Sequence, residues 1–288
     1  MDEQVPRRVV LYTYGRNYES LLIVSLESLI KNYQSSNPLT IWIFEENNSS
    51  SPVTDLLPQL PSLNDKPQIS IALWARPDWT SQINRNVSNR FPGITLWRLG
   101  IPFTFKECDQ ILYLDTDTLI YGDVNELFDL VDQNVPVAGV PDTFHYLNGA
   151  AGIDVAENVG YVNSGVLVFN VQKYNEAWSL NEFLKAVAET DLGGFPDQGL
   201  INKQFKGQIQ QLPMAYNFQQ NNDFLNIERN PPLQNRDRML LEDADRNVKI
   251  KHFLPALKPN SLITPDHDKY YRDWWQMAQT VQKLYGEL

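Results

Sequence analysis

The sequence predicts an α/β protein with a mostly parallel, Rossmann-like mixed sheet flanked by helices. Three observations carry that expectation. In the first half of the chain, β-rich apolar runs alternate with segments of helical spacing, the pattern of a sheet covered on both faces. The run "QILYL" at 110–114 is almost wholly apolar, as a central strand buried on both sides should be. The chain has 288 residues, 42% of them apolar, which is ample for one large core.

The elements follow in order. "VVLYTY" (9–14) reads as a strand, and Tyr18 to Tyr33 as a helix with Leu22, Leu26, Leu29 and Ile30 on one face. "LTIWIF" (39–44) and "ISIALWA" (69–75) are strands separated by the polar loop "EENNSSSP" (45–52). "GITLWRLGIPF" (93–103) has helical spacing until Pro102. Beyond strand 110–114, "DVNELFDLV" (123–131) reads as a short helix with Asp123 as N-cap. "PVAGV" (136–140) and "YVNSGVLVFN" (161–170) are strands, with helices expected at about 171–190 and 197–205. The Asn/Gln-rich stretch 219–235 reads as a mobile loop, "KIKHFL" (249–254) as a last strand and 268–288 as an amphipathic terminal helix. The expected organisation is a single catalytic domain over 1–260, with 261–288 forming a C-terminal helix packed on it.

Composition excludes several functions. With 24 basic and 35 acidic residues the net charge is −11, and no basic face is available to neutralise nucleic-acid phosphates. The single cysteine, Cys108, permits no disulfide framework and no thiolate zinc site. The first ten residues lack the apolar core of a signal peptide, and no apolar run reaches the ~18 residues of a membrane span. A cytoplasmic protein is expected. Trp274 and Trp275 on the terminal helix leave peripheral membrane contact open, although the segment is not basic and a packed helix is the simpler reading.

The chemistry centres on "ILYLDTDTLIYGD" (111–123). Asp115 and Asp117 follow the buried strand one residue apart and, on an extended backbone, would point to the same side. Ligands in open α/β sheets sit at that carboxyl edge. Two carboxylates so close repel unless a cation lies between them, and their oxygens suit Mg²⁺, Ca²⁺ or Mn²⁺. Two enzyme classes use such a motif. In haloacid-dehalogenase-type phosphatases the first aspartate attacks phosphorus. In nucleotide-sugar glycosyltransferases of the GT-A fold the pair holds a metal on the diphosphate. The phosphatase motif normally opens the first strand, whereas here more than a hundred residues precede it, and the late cluster "EDADRN" (242–247) is a poor second acidic motif.

From Val9 to Lys258 the chain resembles the family 8 glycosyltransferases, and among them the glycogenin-like members. The resemblance rests on motifs in order: "YTYGRNY" (12–18), "RFPGITLWRL" (90–99), "YLDTDTLIYGDVNELFD" (113–129), "YVNSGVLVFN" (161–170), "DQGLINKQF" (197–205), "LPMAYNFQ" (212–219) and "HFLPALKP" (252–259). It implies a retaining, UDP-sugar-dependent hexosyltransferase. Asp115, Asp117 and His252 would be the metal ligands; an imidazole beside two oxygens favours Mn²⁺, with Mg²⁺ possible. Without Lys258 at the family spacing, His252 would be read as structural, as His145 and His267 are.

The resemblance also implies the remaining roles. Lys258 would neutralise the departing diphosphate. Tyr18 would stack on uracil, with Tyr12, Thr13, Tyr14 and Gly15 contacting the base through backbone and short side chains, and Arg90, Asp115 and Thr116 completing the nucleotide side. Arg98, Asp142, Asn163, Ser164, Asp197 and Gln198 would hold the donor sugar, with Asp197, Gln198 and Lys258 closest to the chemistry. Three positions depart from the family pattern: Pro255 replaces a glycine and removes a backbone donor, Asn260 replaces a tryptophan, and Gly15 replaces an Asn or Asp. No tyrosine lies between Asn217 and Tyr270, where glycogenin carries the residue it glucosylates, so the acceptor is expected to be external: a glycan, another protein or a small molecule.

Overall fold

A computed structural model describes residues 7–46, 51–83, 92–143, 160–189, 195–220, 235–254, 258–260 and 268–286. Seven strands form one sheet: β1 (Arg8–Tyr14), β2 (Leu39–Glu45), β3 (Ile69–Trp74), β4 (Gln110–Leu114), β6 (Val137–Pro141), β7 (Val162–Asn170) and β8 (Ile209–Gln211), in the order β3-β2-β1-β4-β7-β6-β8. Strands β3, β2, β1 and β4 run parallel, as the alternating pattern predicts. Strand β7 is antiparallel to both β4 and β6. Two short strands, β5 (Thr118–Ile120) and β9 (Ile250–His252), pair antiparallel beside it.

The period-2 alternation of side chains divides the core in two. Val10 and Tyr12 of β1, Leu112 and Leu114 of β4, and Val166 and Val168 of β7 face one side. They pack there with helix Glu19–Asn32 and with Tyr271 and Trp274 of the terminal helix Lys269–Tyr285. Val9 and Leu11, Ile111 and Tyr113, and Leu167 and Phe169 face the other side. They meet Leu99, Tyr174, Phe183 and Ile201 from the helices of that layer. Every one of these strand residues is inaccessible, so β4 is the doubly buried central strand that its composition predicts.

The local differences have identifiable causes. The expected helix 171–190 is two helices, Val171–Ala177 and Leu180–Glu189. Ser179 restarts the chain with a reciprocal capping box: Glu182 Oε2 accepts from the Ser179 N–H at 2.9 Å, while the Glu182 N–H donates to Ser179 Oγ at 3.3 Å. Residues 93–103 form a tight succession of 3₁₀, α and 3₁₀ turns rather than one helix. The helix expected at 123–131 spans Asn125–Leu130, with Val124 at the N-cap position. Asp123 still caps it, Oδ1 accepting from the Asn125 N–H at 2.9 Å. Its Oδ2 accepts from Gln34 and Ser35 N–H groups, tying that helix to the end of the first.

The terminal helix is packed. Asp268 accepts from the N–H groups of Tyr270 and Tyr271 as its N-cap, and Trp274 is buried. The Tyr285 hydroxyl donates to Glu27 of the first helix at 3.2 Å. Among the described residues no helix is long and apolar enough to cross a membrane. The expected loop 219–235 lies almost entirely outside the described residues.

Candidate active site

The site forms at one edge of the sheet. The carboxyl ends of β1, β4 and β6 reach it, and the antiparallel sense of β7 brings that strand's first residues to the same edge. Leu114 pairs with Val166, the Asp115 N–H donates to the Gly165 carbonyl at 2.8 Å, and the Asp142 N–H donates to the Tyr161 carbonyl at 3.1 Å. Asp115, Asp142, Asn163 and Ser164 are therefore neighbours although the sequence spreads them over three strand ends.

Asp115 and Asp117 do not converge along an extended strand, as expected from their spacing. Residues 115–117 form a turn between β4 and β5, closed by the Thr118 hydroxyl donating to the Asp115 carbonyl at 2.8 Å. The β5–β9 ladder pairs Thr118 with His252 and so carries the histidine into the turn. His252 Nε2 lies 3.6 Å from Asp115 Oδ2 and 3.4 Å from Asp117 Oδ1. One ligand atom from each of Asp115, Asp117 and His252 falls within 4.8 Å of the others.

That donor set fits a divalent cation, with two hard oxygens and one imidazole nitrogen. Gly165 underlies it. A Cβ there would come 2.3 Å from His252 Cε1 and 2.8 Å from Asp115 Oδ2, so only glycine lets the strand pass beneath the cluster. Asp117 and His252 are buried. Burial opposes the Asp117 charge, but the Lys258 ammonium and then His252 outweigh it and hold the carboxyl far below the usual range.

Arg98 organises the second half of the site. Its guanidinium is buried and reaches Asp115 Oδ1 at 2.9 Å, Asp197 Oδ2 at 3.1 Å and the Ser164 carbonyl at 3.0 Å. Nε donates to the Thr95 carbonyl at 2.9 Å, and the group stacks 4.3 Å above the Tyr113 ring. Burial opposes its charge; the Asp115 and Asp197 carboxylates outweigh this and keep it protonated. Tyr113 donates to Asp115 Oδ1 at 2.7 Å.

Around this pair the predicted sugar-side residues form one network. Ser164 Oγ donates to Asp197 Oδ2 at 2.7 Å. Asn163 Nδ2 donates to Asp142 Oδ2 at 3.0 Å and to Gln198 Oε1 at 3.1 Å, and Gln198 Nε2 donates to Asp142 Oδ2 at 2.9 Å. Asp197 and Gln198 open helix Pro196–Gln204, which the buried Asn202 side chain ties to both the N–H and the carbonyl of Val162 at 2.8 Å.

Among the residues expected on the nucleotide side, Tyr18 stands 39% exposed at the start of the first helix, with Lys258 Nζ 4.8 Å from its ring centroid. Lys258 also pairs with Asp117 Oδ2. Thr13 approaches the Tyr113 hydroxyl at 3.3 Å, Gly15 follows the end of β1, and Thr116 is buried in the turn. Tyr12 and Tyr14 turn their side chains into the core. The Tyr12 hydroxyl lies 3.0 Å from Ser25 Oγ, which is 2.8 Å from Thr118 Oγ1, so Tyr12 braces the aspartate turn from beneath. Arg90, His145, Pro255 and His267 lie outside the described residues.

Comparison with known proteins decides what this edge belongs to. The family model of Glycosyl transferase family 8 matches residues 9–261.

The chain belongs to glycosyl transferase family 8.

Glycosyltransferase GlyE of Streptococcus pneumoniae is 32% identical over 149 residues, 50% of this chain and 33% of GlyE. Lipopolysaccharide 1,2-glucosyltransferase of Escherichia coli K12 is 25% identical over 218 residues, 72% of this chain and 61% of that enzyme. The matches thus span between a third and three-fifths of these curated relatives. Among solved structures, the bifunctional glycosyltransferase WbbM superposes with a TM-score of 0.75 at 23% identity, over 99% of this chain and 52% of WbbM. The galactosyltransferase LgtC superposes with a TM-score of 0.69 at 19% identity, over 94% of this chain and 95% of LgtC. These likenesses establish a GT-A-like fold.

Three residues of this family 8 site escaped the sequence reading. Tyr113 reads in the sequence as one more position of strand 110–114, and Gly165 falls inside the motif "YVNSGVLVFN" without a role of its own. Asn217 sits within "LPMAYNFQ", a segment noticed only as a pattern. It is almost wholly buried, and its Oδ1 lies 3.0 Å from His252 Nδ1.

Proposed function

We propose that this chain is a metal-dependent, retaining glycosyltransferase that moves a hexose, glucose or galactose, from a UDP-sugar to an external glycan, protein or small-molecule acceptor. The observation that carries this reading is the convergence of Asp115, Asp117 and His252 on one point, flanked by Lys258 and the exposed ring of Tyr18. The similarity to a lipopolysaccharide glucosyltransferase supports a hexose donor. Family membership favours this reading over the phosphatase alternative. Asp115 argues the same way, because Oδ1 is occupied by Tyr113 and Arg98 while Oδ2 faces His252, leaving neither oxygen poised for in-line attack.

Asp115, Asp117 and His252 would hold the ion, and the imidazole in that set favours Mn²⁺ over Mg²⁺. When bound, the ion supplies Lewis-acid stabilisation to the diphosphate. The chain's own residues do the rest. Lys258 exchanges its contact with Asp117 for a phosphate oxygen and neutralises charge as the sugar departs. Tyr18 offers the uracil a stacking face. Asp142, Asn163, Ser164, Asp197 and Gln198 present a buried set of donors and acceptors that a wrong epimer would leave unpaired.

Gln198 is a poor nucleophile by chemistry. Its Oε1 already accepts from Asn163 Nδ2 and from the Ser164 N–H, the latter at 3.3 Å. We therefore favour attack by the acceptor on the face from which UDP leaves, with the departing phosphate oxygen taking the acceptor proton. A glycosyl adduct trapped on Gln198 or Asp197 would overturn that mechanism.

The test is a panel of UDP-sugars with Mn²⁺, read as UDP release. Release from UDP-glucose or UDP-galactose that EDTA stops is the expected result. Binding without release would reduce the chain to a UDP-sugar-binding module, and no response to any UDP-sugar would sink the proposal.

A further inference from the structure

We propose that a polar relay from the Gly165 N–H through Asn163 and Asn217 fixes the tautomer of His252, so that Nε2 presents a bare lone pair to the cation and Asn217 acts as a positioning residue. The inference rests on the metal-dependent reading above and concerns residues outside the set of ligands.

The relay begins at a group with no choice. A backbone N–H can only donate. The Gly165 N–H reaches Asn163 Oδ1 at 3.0 Å, which identifies that atom as the amide oxygen. The opposite end of the Asn163 amide agrees, because its Nδ2 faces the Asp142 carboxylate at 3.0 Å. Asn163 Oδ1 has a second partner 3.0 Å away on Asn217, which must be a donor and hence Nδ2. Asn217 therefore turns its Oδ1 toward His252 Nδ1 at 3.0 Å, and an amide oxygen can only accept. The proton belongs on Nδ1.

The opposing pull is local and sizeable. Nε2 faces Asp115 and Asp117 at 3.6 and 3.4 Å, and two carboxylates by themselves would draw the imidazole proton to Nε2, where it blocks coordination. Asn217 competes through a shorter contact inside a buried network, where an unmade hydrogen bond is costly. Metal-ligating histidines are commonly oriented by an acceptor on the other ring nitrogen. Here the acceptor is an amide whose own orientation is set by the strand under the site. Gly165 thus contributes twice, by leaving room for the ring and by polarising the chain of amides that aims it.

The test uses the full-length protein, Asn217→Leu and Asn217→Asp, with ring ¹⁵N NMR of His252 in metal-free samples at about pH 8 and Mn²⁺ titration by electron paramagnetic resonance. In the wild type, Nδ1 is expected to carry the proton. Asn217→Leu should shift the proton to Nε2 and weaken Mn²⁺ binding by about 10- to 100-fold. Asn217→Asp keeps an oxygen facing Nδ1 and should bind Mn²⁺ more tightly than Asn217→Leu. A wild-type ring with Nε2–H alone, or an Asn217→Leu protein that binds Mn²⁺ as the wild type does, overturns the inference. Should Asn217→Leu not fold, the wild-type spectrum still judges it. Absence of Mn²⁺ binding in the wild type would instead sink the metal-dependent reading, while the spectrum still tests the tautomer.

Discussion

Asp115 and Asp197, on opposite sides of the site, are held by one guanidinium: Arg98 Nη2 reaches the first at 2.9 Å and Nη1 the second at 3.1 Å. The Asp115–Asp117–His252 cluster and the Asp197 network are thereby fixed to each other through the buried Arg98 guanidinium. Removing one partner of such a group leaves buried charge uncompensated, at a cost of about 3–5 kcal/mol. Arg98→Met should lower the denaturation midpoint accordingly and abolish UDP release. Arg98→Lys should also fail in turnover, because an ammonium cannot span both carboxylates with a fixed fork. Urea denaturation beside the release assay checks both.

Asp117 links His252 and Lys258. Asp117→Asn should remove the rise in melting temperature that Mn²⁺ plus UDP is expected to produce in the wild type. A shift of equal size in the variant would remove Asp117 from the ligand set.

Gly165→Ala is a minimal change that intrudes on the Asp115–Asp117–His252 cluster. The new methyl would stand 2.3 Å from His252 Cε1, so ring or strand must move. Overpacking of this kind costs about 1–3 kcal/mol. Mn²⁺ affinity should fall by more than the loss of stability alone implies, which a titration on the folded variant measures.

Lys251 supplies a pH dependence. It is buried beneath the rings of Phe218, Phe253 and Tyr270, and Nζ donates to the Gln220 carbonyl at 2.6 Å. Burial lowers its pKa to about 7, with Asp268 and Asp245 partly opposing the shift. Its ordinary value is 10.5, so between about pH 7 and that value the unfolded chain binds the extra proton and stability rises with pH. The stability of the wild type relative to Lys251→Met should therefore increase from pH 7 to pH 10 and stay level below pH 7. Thermal melts across that range test the sign.

Ser179→Ala removes the capping box that restarts the chain after Trp178. A loss of about 1 kcal/mol is expected, with UDP release unchanged. Denaturant titration and the release assay separate the two effects.

The parts of the molecule legible in the sequence are those with local causes. Strand 110–114 follows from an unbroken apolar run, and helix Glu19–Asn32 from a 3.6-residue spacing of leucines. The S-x-x-E pattern at Ser179 lies inside a stretch of helical spacing that reads as one helix, and the structure shows it as the capping box that divides that stretch. The family resemblance implies Asp115, Asp117 and His252 as one set, and the structure brings them together. The aspartates meet through a turn joining β4 to β5 and not along an extended strand, which i, i+2 spacing alone does not show.

The remainder depended on pairing between distant segments. Nothing near position 217 says that its amide will meet His252, since that contact needs the β5–β9 ladder and the isolated bridge between Phe218 and Lys251 to bring two loops together. Nothing near Tyr12 says that its hydroxyl will meet Ser25 Oγ and, through it, Thr118 beneath the aspartate turn. The sequence by itself determined the α/β class and the doubly buried centre strand, because residue type and period settle those. The tertiary structure alone decided which way β7 runs, and hence that Asn163, Ser164 and Gly165 face the ends of β4 and β6, because strand direction is set by packing and pairing over long range rather than by any local pattern.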